Sequence, residues 1–91
     1  MELGKSLTKL LSDDASGINP HHLERIRSLL VILWNARTPR DIEAAHVHRL
    51  HRNGGKYKKP TYAVNVSAQW RLVFEFDPTK GVTKVDYVNY H

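Results

Sequence analysis

Residues 70–91 read WRLVFEFDPTKGVTKVDYVNYH. Trp70, Leu72, Phe74 and Phe76 alternate with Arg71, Val73, Glu75 and Asp77, the period of a strand with one apolar face. The segment from Asp77 to Gly81 then puts a proline at a turn position and a glycine at its close, so the chain reverses into a last strand. That strand alternates imperfectly: Val85 and Tyr87 share one parity, Val82 and Val88 the other. A bulge or a strand apolar on both faces would account for this. Upstream, TYAVNVS (61–67) sets Tyr62, Val64 and Val66 on one face, and Ser67 and Ala68 can turn it into Trp70. The C-terminal half therefore reads as an antiparallel sheet.

The N-terminal half has a helical period instead. In INPHHLERIRSLLVILWNA, Asn19 is an N-cap with Pro20 at the first helical position, and Leu23, Ile26, Leu29, Leu30, Leu33 and Trp34 form a 3.6-residue stripe. On that stripe Trp34 is expected in the core. His21 and His22 fall in the first turn, where the helix dipole disfavours a cation, and are expected as neutral surface groups. An earlier helix carries Leu7, Leu10 and Leu11, with Ala15, Ser16 and Gly17 as its break; Thr38 and Pro39 start a short connector helix. The expected fold class is α+β: two N-terminal helices packed on an antiparallel sheet of three to four strands.

At 91 residues without an internal repeat, the chain is expected to be one domain, 1–91, because half of it could not bury a useful core. It has no cysteine, which excludes a disulfide framework and thiolate metal sites and fits a reducing compartment. No apolar run approaches the ~20 residues of a membrane helix, and MELGKSLTKL lacks a secretory block, so a cytoplasmic protein is expected. Charge is uneven. Residues 1–45 carry six Lys/Arg against six Asp/Glu, and residues 46–91 eight against three, so the whole net charge of +5 lies in the second half. Within it HVHRLHRNGGKYKKP (46–60) holds five Lys/Arg, three histidines and no acid, a composition suited to a polyphosphate backbone or to a solvated loop.

Taken in order, RLH (49–51), the basic loop, the strand opening at Tyr62, VSAQWRLVFEF (66–76) and the closing DYVNYH (86–91) resemble the HigB type of RelE-superfamily toxins. The likeness covers roughly residues 10–91, including SGINPHHLERIRSLL (16–30). It implies a RelE-like toxin fold and a cytoplasmic toxin of a type II toxin–antitoxin system, paired with a HigA-type helix-turn-helix antitoxin. It further implies a metal-independent endoribonuclease, without cofactor, that cuts mRNA in the ribosomal A site, against the 30S subunit and its 16S rRNA. The 2'-hydroxyl would attack the adjacent phosphate and leave a 2',3'-cyclic phosphate. Two other readings stay open: a weak or inactive relative that binds RNA or antitoxin, and a RelE-fold toxin with another target such as DNA gyrase.

Such chemistry needs a base, a cation for the phosphorane and an acid for the leaving oxygen. The resemblance assigns these roles to His51, Lys56, Arg71, Tyr90 and His91, with Arg49, Arg52, Lys58, Lys59 and Asn89 contacting RNA. The basic loop is slightly longer than usual in the family, so Lys58 or Lys59 could replace Lys56. Arg71 stands on the strand parity opposite the aromatic stripe, where its planar fork suits phosphate; a surface arginine is the plain alternative. Trp70 shares the core parity and is structural, whereas Tyr57 lies among lysines, where it could stack a base. His46 and His48 are spaced as two zinc ligands on a strand, but no third or fourth ligand is evident and no metal site is expected. His91, as the last residue, also brings an α-carboxylate that would favour its imidazolium. Two departures from the family stand out: only MELG precedes the first helix, where members carry a strand, and Asn89 occupies the place of an aspartate. The second predicts weaker cleavage.

Overall fold

The structure, a computed structural model, describes residues 1–44, 51–53 and 61–89, with side chains over 1–43 and 61–89. Helix α1 spans Lys5–Leu11 and buries Leu7 and Leu10, while Leu11 stays exposed. It ends sooner than the Ala15–Gly17 break, because Asp13 adopts the left-handed conformation at φ +64°. The amides of Asp13 and Asp14 then donate to the carbonyls of Leu10 (3.0 Å) and Lys9 (2.9 Å), a Schellman closure with aspartate in the usual glycine position.

The expected cap at Asn19 forms: its Oδ1 accepts from the His21 amide at 2.9 Å. Pro20–His22 make one 3₁₀ turn that runs into α2, Leu23–Asn35. Ile26, Leu29, Leu30 and Leu33 are buried, but Trp34 is 65% exposed and is not a core residue. It follows Leu33 by one residue, about 100° round the helix, which carries it past the edge of the stripe. His22 corrects the reading the other way. It is 9% exposed, because it lies four residues before Ile26 and seven before Leu29, in line with the buried stripe. Helix α3, Pro39–Ala44, starts on a reciprocal cap: Asp41 Oδ2 accepts from the amides of Arg37 (2.8 Å) and Thr38 (3.1 Å), and Thr38 Oγ1 accepts from that of Asp41 (3.3 Å).

Four strands follow, β1 (His51–Asn53), β2 (Thr61–Asn65), β3 (Trp70–Asp77) and β4 (Gly81–Asn89), in one antiparallel sheet of order β1-β2-β3-β4. The α+β layering expected from the sequence is thus what forms. Between β3 and β4, Asp77 Oδ1 accepts from the amides of Thr79 (2.8 Å) and Lys80 (3.0 Å). Gly81 closes the turn at φ +81°, and a Cβ there would stand 3.1 Å from the Ala36 carbonyl oxygen.

The imperfect alternation of β4 is a bulge. Val73 pairs with Asp86 and Glu75 with Thr83, so Phe74 of β3 faces both Lys84 and Val85. Lys84 takes up the extra residue at φ +53°. Val82, Val85 and Tyr87 are thereby brought onto one side, where they pack with Leu72, Phe74, Val64 and the buried side chains of α1, α2 and α3. Each fully buried Phe or Leu there contributes roughly 1.5–3 kcal/mol. MELG forms no strand of its own. Its trace is a parallel bridge of Leu3 to Val85, in which the Gly4 amide donates to the Val85 carbonyl (2.7 Å) and the Val85 amide to that of Glu2 (2.8 Å).

Candidate functional site

Arg71 is the second residue of β3, and the register sets it between Asn65 of β2 and Val88 of β4. Directly opposed residues of a ladder share a pleat, so Arg71 stands on the side away from Trp70, Leu72 and Tyr87. Its pleat continues through Val73, Ala63 and Asp86, of which Val73 and Ala63 are buried. Backbone position 51 joins this set, because His51 pairs with Ala63 and Ala63 with Val73. Strand spacing and rise put it on the order of 12 Å from the Arg71 backbone. Two other expected RNA contacts fall on the opposite pleat: position 52 pairs with Tyr62, and Asn89 with Trp70. Arg49, Lys56, Lys58, Lys59, Tyr90 and His91, together with His46, His48 and Tyr57, lie outside the described residues.

Behind Arg71 is a polar contact that local reading missed. His22 Nδ1 and the Tyr87 hydroxyl are hydrogen-bonded at 2.7 Å, and Trp70 stacks on Tyr87 with ring centroids 4.2 Å apart and planes at 16°. The His22 ring meets both aromatics edge-on, at 6.0 and 6.1 Å. Burial pushes the Tyr87 phenol above its ordinary pKa, and a backbone hydrogen bond from Asn19 partly offsets this. One turn further along α2, Arg25 Nη2 donates to the Asn65 carbonyl at 3.3 Å. Among the described residues, the buried Oδ1 of Asn65 meets no hydrogen-bond partner. The available signal was His22 in the α2 stripe; its partner Tyr87, 65 residues away, had none.

Among the described residues, the Lys84–Glu75 pair at 3.9 Å is half exposed and contributes little. The same residues contain no group of three or more His, Cys, Asp or Glu placed to hold a metal ion.

Over residues 4–91 the sequence matches the model of a family described as the RelE-like toxin of the type II toxin–antitoxin system HigB. The chain belongs to the HigB-like toxin family. No curated protein matches it. A HigB-like toxin is one member of a two-protein system, so an antitoxin is its partner. The match runs from Gly4, at the Leu3–Val85 bridge, through the end of β4, and so takes in every element of the sheet. No helix among the described residues is long and apolar enough to cross a membrane.

Proposed function

We propose that this HigB-like toxin is a ribosome-dependent mRNA endonuclease of the cytoplasm, held inactive by a HigA-type helix-turn-helix antitoxin. In the A site, against the 16S rRNA of the 30S subunit, the 2'-hydroxyl of one nucleotide attacks the adjacent phosphorus as its proton passes to a base. The bond to the 5'-oxygen breaks, an acid protonates that oxygen, and the products are a 2',3'-cyclic phosphate and a free 5'-hydroxyl. Arg71 balances the charge that grows on the phosphorane, His51 and Lys56 act on the 2'-hydroxyl side, and Tyr90 and His91 on the leaving oxygen. Arg49, Lys58 and Lys59 hold the message, whereas Arg52 and Asn89, expected from the sequence to do so, stand on the pleat opposite Arg71.

The observation that carries this reading is the position of Arg71. Its strand neighbours leave it on the pleat shared with position 51, in the sheet whose first strand lies within the basic segment 46–60. A planar fork at that place suits a phosphate. Primer extension on mRNA from cells producing the wild type, Arg71→Ala or a His91 deletion tests it. New 5' ends within codons are expected in the wild type alone, and intact message in the wild type sinks the proposal.

A further inference from the structure

Arg71 has a strand on each side, and the start of α2 with its leading 3₁₀ turn reaches both. The Asn65 carbonyl, directly across β2, accepts from Arg25, and Tyr87, beside Val88 on β4, is bonded to His22. His22 and Arg25 are three residues apart, the spacing that brings two side chains to one helix face. Trp70, next to Arg71 in sequence, is held by its stack on Tyr87 and its edge contact with His22. The backbone at Arg71 is therefore located from α2 rather than by its own strand alone. An ordinary core needs no buried histidine here: the surrounding stripe positions are Ile26, Leu29, Leu30 and Leu33.

We propose that His22 and Arg25 are positioning residues for Arg71: together with Tyr87 they set where β2 and β4 hold the guanidinium relative to the scissile phosphate. This rests on the reading of Arg71 as the phosphate-binding residue. A reacting group displaced by about 1 Å costs roughly a hundredfold in rate, so loosening either tie lowers the chemical step more than binding.

The test uses purified toxin and ribosomes programmed with a short end-labelled mRNA, measuring the maximal cleavage rate, the half-saturating toxin concentration and the melting temperature. Tyr87→Phe and His22→Leu are expected to lower the maximal rate roughly tenfold or more with half-saturation unchanged. Arg25→Met lowers it by a smaller factor. His22→Asn, whose amide can meet the Tyr87 hydroxyl where Nδ1 did, restores the rate. The His22→Leu/Tyr87→Phe double variant is no slower than the slower single one, because both remove the same contact. A wild-type rate in Tyr87→Phe or Arg25→Met overturns the proposal, as does failure of His22→Asn to restore cleavage. Should His22→Leu not fold, Tyr87→Phe and His22→Asn decide. If the wild type cuts and Arg71→Ala does not, a wild-type rate in Tyr87→Phe removes this inference alone; if the wild type leaves the mRNA intact, the ribonuclease reading falls and this inference with it.

Discussion

His22 and Tyr87 are hydrogen-bonded at 2.7 Å across 65 residues of chain, and that contact joins the 3₁₀ turn that leads into α2 to the strand beside Arg71. The burial of Tyr87 that accompanies this contact gives the stability of this toxin an alkaline limit. Burial raises the Tyr87 pKa above 10.0, so the folded state favours the neutral phenol. Above pH about 10 the unfolded chain loses that proton first. The stabilisation is complete below the unfolded pKa and is lost as pH rises through the folded one. Urea midpoints measured from pH 8 to 11 should fall at the alkaline end for the wild type, and less steeply for Tyr87→Phe. Equal slopes would show that Tyr87 does not titrate in this way.

Two neighbouring positions of α2 separate packing from mere hydrophobicity. Leu33 is fully buried, so Leu33→Ala should cost about 2–5 kcal/mol. Trp34, 65% exposed, should change stability by no more than about 0.5 kcal/mol when replaced by Gln. Chemical denaturation of the two variants checks the contrast, and comparable losses would contradict the exposure of Trp34.

Backbone conformation sets opposite outcomes at two positions of β4. Gly81→Ala places a Cβ at φ +81° and 3.1 Å from the Ala36 carbonyl, and should destabilise by about 1–2 kcal/mol or more. Lys84→Gly relieves a left-handed residue at φ +53° and should be neutral or stabilise by up to about 1 kcal/mol. Thermal melts of both variants are sufficient, and a stabilising Gly81→Ala would mean the turn is built differently.

On the resemblance to HigB-type toxins, Asn89 stands where an aspartate is expected. On the ribonuclease reading, Asn89→Asp should raise mRNA cleavage about tenfold, since the negative charge of a carboxylate can orient a neighbouring acid–base group and favour its charged form, where a neutral amide offers hydrogen bonds alone. Primer extension at matched protein levels measures this. A rate equal to the wild type would show that the amide already suffices.

The elements with local causes were legible in the sequence. Asn19 and Pro20 start the α2 segment, Thr38 and Pro39 start α3, and the turn at Asp77–Gly81 follows from residue types that favour those conformations whatever surrounds them. The parity of Arg71 followed from the alternation of β3, because a strand's period is short and regular. Phase and partnership were different. One residue of bulge at Lys84 moved Val82 onto the side of Val85 and Tyr87, which alternation alone left undecided. Trp34 and His22 exchanged their expected places because the limits of a buried stripe depend on how α2 lies against the sheet. What stands beside Arg71, Asn65 on one strand and Val88 on the other, with His22 and Arg25 behind, comes from segments far apart in sequence. By itself the sequence determined which segments become helix or strand, through interactions spanning a few residues. Only the tertiary structure decided which side chains meet, because meeting requires the chain to close over itself and bury both partners together.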